Sequence, residues 1–154
     1  MSVYKRGIGD QGISHFPKKF VTLYASAACT AGSWVMLTTD DTNGLGGSCA
    51  DSNVTGQNEG LIFGIATQTV AAGEDVVVQV AGKYEDANVA TSVTQGDRLL
   101  ATSTSGRVAE ATTIDPTSVA AALDYTICGV ALEDEPGGGG TNTADVMIIN
   151  QGYF

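Results

Sequence analysis

The amino-acid sequence predicts an all-β fold: a compact β-barrel or sandwich-like domain built from two pseudo-repeated β-units, with an extended N-terminal arm. From Phe20 onward, short runs of β-forming residues alternate with clusters of Gly, Asp, Asn, Ser and Thr. The chain has 20 Gly and only 3 Pro, which favours a globule rich in turns. Its two halves also repeat the same order of motifs, which indicates an internal duplication.

Seven segments have the length and composition of β-strands. The runs 76–80 and 146–149 are nearly continuous in apolar residues, as expected for strands that are covered on both faces. The predicted strands, in chain order, are 20–24, 34–39, 61–67, 75–82, 98–103, 126–132 and 145–150.

Turn signals separate these strands, and one segment has helical character. The turn signals are Asn43-Gly44, Ala72-Gly73, Gln95-Gly96, Ser105-Gly106 and the stretch 136–140. Segment 115–123 begins with Asp115-Pro116, a combination typical of a helix start, and continues with Val, Ala and Leu. A helix of this length leaves the fold class unchanged.

Three matches between the two halves define the repeated unit. They are Gly32-Ser-Trp-Val with Gly96-Asp-Arg-Leu, Phe63-Gly-Ile-Ala with Cys128-Gly-Val-Ala, and residues 75–82 with residues 145–152. The matches keep the same order and their offset grows slowly, which indicates loop insertions between copies. We expect the halves to superimpose at Gly32/Gly96, Gly64/Gly129 and Val78/Ile148. Two such units would close into one barrel or sandwich and bury their edge strands.

This pattern divides the chain into a basic arm, residues 1–20, and a single β domain, residues 21–154. The pseudo-repeats within the domain span about 21–84 and 85–154. A chain of 154 residues is about one domain's worth.

Charge is distributed unevenly between the arm and the domain. The formal net charge is −10, from 7 Lys and Arg against 17 Asp and Glu. Four of the basic residues lie in the first twenty positions, against the single acid Asp10. The acidic domain repels phosphate, so direct binding of nucleic acid is not expected. No apolar run approaches the length of about 20 residues that spans a bilayer, so we expect no membrane contact and no secretion signal.

A basic arm on an acidic domain suits docking on an acidic surface, although a solvated terminus with incidental lysines has the same composition. Aromatic and aliphatic side chains give the arm something to bury. The candidate partner-binding residues are Lys5, Arg6, Ile13, Phe16, Lys18, Lys19 and Phe20.

The residues that commonly form metal sites or catalytic sites are sparse. Cys29, Cys49 and Cys128 are widely spaced, and His15 is the only histidine, so a Cys/His zinc site lacks ligands. We expect three reduced, buried cysteines that are not bridged to one another.

No motif supports catalysis, and we expect no enzyme activity, no cofactor and no metal. His15 lies in the arm beside Ser14, and adjacent residues cannot easily aim a nucleophile and a base at each other. The acidic turn 40–44 lacks the ligand spacing of a calcium loop, and the four glycines 137–140 lack the context of a phosphate-binding loop. Trp34 is explained better by packing than by sugar stacking.

The motifs of the repeated unit carry a resemblance that covers roughly residues 20–150. They are Gly64-Ile-Ala, Ala72-Gly73-Glu-Asp-Val-Val-Val-Gln-Val-Ala-Gly82, Val93-Thr-Gln-Gly96-Asp97-Arg-Leu99, Gly106-Arg-Val108 and Ile127-Cys-Gly129-Val130-Ala131-Leu132-Glu133. This pattern resembles the small capsid decoration (cement) proteins of tailed bacteriophages. The first twenty residues and the loop 45–60 depart from it.

The resemblance implies a non-enzymatic structural protein that binds the outer surface of an assembled capsid and bridges neighbouring major capsid proteins. It implies a location on the capsid exterior of the virion, after assembly in the host bacterial cytoplasm. A homo-oligomer, trimer or dimer, would fit the local symmetry positions of a capsid.

Two other classes of protein stay open at this point. A carbohydrate-binding or adhesin-type β module would need exposed aromatic residues in a groove, for which Trp34, Tyr24 and Tyr84 are the main candidates. A small β-barrel enzyme such as a nucleotide hydrolase would need a clustered acid/base site, and the sequence offers none.

Overall fold

The computed structural model describes residues 17–38, 48–52, 62–102, 104–111, 127–138 and 142–149, and these residues form an all-β protein. The strands are β1 (Lys19–Ala25), β2 (Trp34–Thr38), β3 (Ser48–Asp51), β4 (Ile62–Ala66), β5 (Asp75–Val89), β6 (Arg98–Ala101), β7 (Val108–Glu110), β8 (Ile127–Ala131) and β9 (Asn142–Ile148). The predicted helix 115–123, the turn at Asn43-Gly44 and the acidic turn 40–44 lie outside the described residues.

The strands pair into two closed rings that share β5. In the first ring the order is β1, β3, β2, β4 and the first half of β5, which returns to β1. In the second ring the order is the second half of β5, β7, β6, β8 and β9, which returns to β5. Closing a sheet into a ring pairs strand edges that would otherwise be exposed.

The predicted duplication is confirmed in the hydrogen bonding of the two rings. Gly32 N donates to Ala66 O at 2.9 Å, and Gly96 N donates to Ala131 O at 2.8 Å. Both glycines have left-handed φ angles, 81° and 95°, which a residue with a Cβ rarely adopts. Equivalent bulges also interrupt the β2–β4 and β6–β8 ladders.

The register of the third repeat match differs from the expected one by two residues. Val78 pairs with Ala66, and Ala131, the counterpart of Ala66, pairs with Val146. Val78 therefore corresponds to Val146 and not to Ile148. Because side chains alternate with a period of two, the shift leaves the same face buried.

Each ring has its own hydrophobic core. Leu23, Val35, Val76 and Val78 lie in the first core cluster. The second cluster contains Leu99, Val108, Ala144 and Val146 in the second ring, together with two residues of the first. These two are Trp34 and Ile65, which face each other across β2 and β4 and are fully buried. The second ring therefore packs on the outer face of β2 and β4.

Backbone hydrogen bonds join the two rings beside this packing. Asn88 N donates to Gly32 O at 2.9 Å, and Trp34 N donates to Gly106 O at 3.0 Å. Gly106 N in turn donates to Ser52 O at 2.7 Å. The junction is thus hydrogen-bonded as well as apolar.

The chain passes from one ring to the other at Gly82, near the middle of β5. Gly82 has a left-handed φ of 88°, which turns the strand at this point. The buried Gln79 side chain supports the turn, because its Nε2 donates to the carbonyl oxygens of Ala81 (3.1 Å) and Lys83 (2.9 Å).

Candidate functional site

The predicted partner-binding residues lie at the beginning of the described chain or before it. Lys5, Arg6, Ile13 and Phe16 lie outside the described residues. The other three are Lys18, immediately before β1, and Lys19 and Phe20, the first two residues of β1; all three are exposed. The β-structure thus begins at Lys19, two residues before the predicted domain boundary.

The pleat of β1 explains why Phe20 is exposed. Leu23 and Ala25 are buried in the first ring, and Val21 packs against the same cluster. Residues at alternate positions point to opposite faces of a strand, so Phe20 faces outward. Its side chain remains 54% exposed.

The beginning of β1 and the end of β9 meet at the middle of β5. Lys19 pairs with Ala81 of β5, and Ile148 pairs with the next residue, Gly82. Ile149 follows β9 directly and is 40% exposed. The sequence reasoning missed Ile149 as a surface residue because it ends an apolar run that resembles a fully covered strand.

Lys83 lies close to this position and is paired with two carboxylates. Its Nζ lies 2.6 Å from an Asp145 carboxylate oxygen and 3.6 Å from a Glu85 carboxylate oxygen. The hydrogen bond with Asp145 raises the pKa of Lys83, so its ammonium group stays charged at neutral pH.

Several carboxylates of the second ring have a structural role at turns. Asp97 Oδ2 accepts a hydrogen bond from Thr94 N at 2.7 Å, and Asp134 Oδ1 accepts one from Gln95 N at 2.7 Å. Glu133 Oε1 similarly accepts one from Asp145 N at 2.9 Å. These side chains cap backbone donors that the strand ladders leave unpaired.

Two of the three aromatic side chains considered for sugar stacking are held by internal contacts. Trp34 is fully buried, as the packing interpretation predicted. Tyr84 packs against the second core, and its hydroxyl donates to Ala66 O at 3.1 Å. Tyr24 is half-buried in β1.

The three cysteines are free and buried, as predicted. Cys29 and Cys49 lie together in the first core, where their thiols contact each other and the Cys29 thiol also contacts the Asp51 carboxyl. Burial raises the pKa of Asp51, against smaller opposing effects from hydrogen bonds with Thr30, Ser33 and Cys29. Cys128 lies in the second core, where burial raises the pKa of its thiol and Sγ donates to Leu99 O at 3.2 Å.

An open cleft of about 510 Å³ lies on the second ring. Its lining is formed by residues 90–92, residues 136–138 and Asn142, and none of these side chains is charged. Among the described residues, no three His, Cys, Asp or Glu side chains are arranged to hold a metal ion. No helix in the described part of the chain is long and apolar enough to cross a membrane.

The comparisons with known proteins agree with the all-β fold. A family model described as phage cement protein matches residues 15–148, which is most of the chain. The chain belongs to the phage cement protein family. The cement protein is therefore a capsid-associated structural protein of a bacteriophage.

The fold of this cement protein also occurs in a solved structure. The crystal structure of the head fiber gp8.5 N base of bacteriophage phi29 is similar, with a TM-score of 0.53 and 16% sequence identity. The similarity covers 88% of the cement protein and all of the phi29 chain. No curated protein matches the cement protein sequence.

Proposed function

We propose that this protein binds the outer surface of an assembled phage capsid and stabilises it by bridging neighbouring major capsid proteins. Membership of the cement protein family carries the proposal. The head fiber base of bacteriophage phi29, which has a similar fold, supports a position on the capsid exterior. The role is structural and needs no catalytic group, cofactor or metal.

The N-terminal arm is the proposed means of attachment. The exposed residues Lys18, Lys19 and Phe20 stand at its root, on a body whose strand edges are largely paired. Basic side chains speed and orient docking on an acidic surface, while apolar anchors contribute more of the affinity. The proposed contacts are Lys5, Arg6, Ile13, Phe16, Lys18, Lys19 and Phe20.

The partner in this proposal is the major capsid protein, bound after assembly in the host cytoplasm. A homo-oligomer, dimer or trimer, would engage several capsid subunits at once, and each additional contact would raise the effective affinity. Direct contact with nucleic acid is not part of the proposal, because the chain carries a formal net charge of −10.

Sedimentation with capsids that lack the protein tests the attachment. The wild type is expected to sediment with intact capsids and to remain in solution with unassembled capsid subunits. Deleting residues 2–16 removes most of the arm and leaves β1 intact, so a folded protein with much weaker binding is expected. Unchanged binding of the truncated protein would show that the arm is a solvated tail.

Variants that lack the basic residues distinguish electrostatic steering by these residues from the affinity contributed by the apolar residues of the arm. Replacing Lys5, Arg6, Lys18 and Lys19 by Ser is expected to weaken binding less than the deletion does. Wild-type binding is expected to fall as salt rises, because exposed charges are screened within about 10 Å at 0.1 M salt. Binding that is independent of salt would contradict the role given to the basic residues.

Bridging of neighbouring capsid proteins predicts that the capsid becomes more stable to heat, and this can be tested separately from binding. Saturation with the protein should raise the temperature at which capsids release their DNA, in proportion to the occupied sites. A protein that binds without changing this temperature attaches to the capsid but does not stabilise it. A carbohydrate-binding function gains no support, because Trp34 is buried and Tyr84 is hydrogen-bonded internally.

A further inference from the structure

We propose that the folded body docks on the capsid through one surface at the middle of β5, formed by Lys18, Lys19, Phe20 and Ile149. We call this the β5 midpoint surface. The inference rests on the proposed function and adds to it the face of the body that meets the capsid. Its occupant is an acidic surface of the major capsid protein with an apolar centre.

Strand pairing brings the members of this surface together. Lys19 and Ile148 pair with adjacent residues of β5, Ala81 and Gly82. Paired Cα atoms lie about 4.5–5.5 Å apart, and neighbouring Cα atoms about 3.8 Å apart, so the Cα atoms of Lys19 and Ile148 lie within about 15 Å of each other. The first residues of β1 and the last residues of β9 therefore lie close together at this position.

Exposed apolar side chains concentrate at the same place. Among the described residues, the large hydrophobic side chains that are exposed are Phe20 (54%), Ile149 (40%) and Leu37 (39%). Two of them belong to the β5 midpoint surface, and Leu37 lies elsewhere, in β2 opposite Cys49. Aromatic and aliphatic anchors inside a rim of polar groups are typical of the centre of a protein interface.

Positive charge concentrates there as well. The described residues include five basic side chains, and Lys18 and Lys19 belong to the surface. Lys83, one residue beyond Gly82 in β5, is paired with carboxylates, and Arg98 and Arg107 lie on or near other strands of the second ring. Much of the remaining body is acidic, so an acidic partner would repel other faces and attract this one.

The proposed attachment of the arm to the capsid is the reason for choosing the capsid as the partner of this surface. An extended segment of about sixteen residues spans at most about 55 Å, so attachment of the arm keeps its root within that distance of the capsid. The root of the arm is Lys18, which belongs to the β5 midpoint surface. Contact by the arm therefore keeps this surface near the capsid protein, where its charge and its apolar side chains can bind.

Single substitutions on full-length protein test the surface with matched controls. Phe20→Ser and Ile149→Ser remove the two apolar anchors, and Leu37→Ser removes the exposed apolar side chain outside the surface. Capsid binding should weaken about tenfold for each anchor, the usual loss at an interface hot spot, and should stay within about twofold for Leu37→Ser. Lys18→Glu should weaken binding at low salt more than Arg98→Glu, which makes the same change in charge.

Each alternative outcome identifies a different error. If wild-type protein fails to sediment with capsids, the proposed function fails and this inference fails with it. If the wild type binds and Phe20→Ser and Ile149→Ser bind equally well, capsid binding stands, whereas this inference and the contact assigned to Phe20 are wrong.

Two measurements on the free protein complete the test. If Phe20→Ser and Ile149→Ser lower the melting temperature far more than Leu37→Ser does, the chain's own ends cover the surface and the inference is overturned. If the wild type forms oligomers in ultracentrifugation that these two variants abolish, the occupant is a second copy of the chain, and the inference is equally overturned.

Discussion

The junction between the two rings allows a sharp test through Gly129, which packs against Trp34. A Cβ added to Gly129 would lie 2.9 Å from Trp34 Cη2 and 3.0 Å from Met147 O. Ordinary carbon contacts are about 3.5–4.0 Å, so the Gly129→Ala methyl group must push the indole or β9 away by more than half an ångström. We therefore expect this small substitution to strain the contact between the rings.

The magnitude follows from two opposing effects. Overpacking a well-filled core costs about 1–3 kcal/mol. Alanine has less conformational freedom than glycine in the unfolded chain, and this difference stabilises the folded variant by about 0.4–1 kcal/mol. The net expectation is a destabilisation of about 1–2 kcal/mol, which lowers the melting temperature of a chain of this size by about 3–8 °C.

Trp34 is the only tryptophan of the chain, so its fluorescence reports directly on this junction. Gly129→Ala should shift the emission of the folded protein and lower the midpoint of guanidinium unfolding. Gly96→Ala is the control: its φ of 95° makes alanine unfavourable by a similar amount, but no atom lies within 4 Å of the added Cβ. The control should lose stability without any shift in emission.

A double-mutant cycle with Trp34→Phe isolates the contact. Phenylalanine removes the part of the ring that meets the added methyl group, so the cost of Gly129→Ala should fall by about 1 kcal/mol in that background. If Gly129→Ala is as stable as the wild type and has unchanged emission, the packing of the two rings described above is wrong.

Three further predictions concern buried polar groups. Asp51→Asn should raise the melting temperature by a few degrees at neutral pH, because burial raises the pKa of this carboxyl and the folded state then disfavours its ionised form. The gain should disappear as the pH falls below about 3.9, where the unfolded carboxyl is protonated too, and a gain that persists at low pH would contradict this cause. Gln79→Leu should cost about 1–3 kcal/mol in urea unfolding, since the carbonyl oxygens of Ala81 and Lys83 lose their donor; an unchanged midpoint would show that the side chain does not support the turn at Gly82. Thiol titration without reductant should count three free thiols in denaturant and fewer accessible ones in the folded protein, whereas a count of one would reveal a disulfide.

The strands that could be predicted from the sequence are those whose local pattern of residues favours the same structure as their contacts in the folded protein. β1, β2, β4, β6 and β8 fall within about two residues of their predicted bounds, because each is a short run of β-forming residues bounded by turn signals. The duplication was visible because the turn at each repeat needs a glycine with positive φ, as at Gly32 and Gly96. The third match was placed two residues out of register because both alignments bury the same face of β9.

Strands without a local signal were missed. β3 (Ser48–Asp51) and β7 (Val108–Glu110) are only four and three residues long, and neighbouring strands hold them in place. The second half of β5 contains charged residues and a bulge between Tyr84 and Ala87, which breaks the alternation on which strand prediction depends. The exposed Ile149 could not be recognised either, since the position where β9 ends is set by pairing with β5 and β8.

The shared strand β5 has a consequence for the order in which the protein folds during synthesis. Its 15 residues, Asp75–Val89, complete the first ring and begin the second. All strands of the first ring have been synthesised once residue 82 has been made, and their assembly outside the ribosome would hold the start of the second ring as an already oriented strand. Later strands then add to a fixed template, which reduces the loop-closure entropy of their pairing. A cut at the boundary of the duplication would divide a continuous strand, so the second half expressed alone would begin without the template that aligns it.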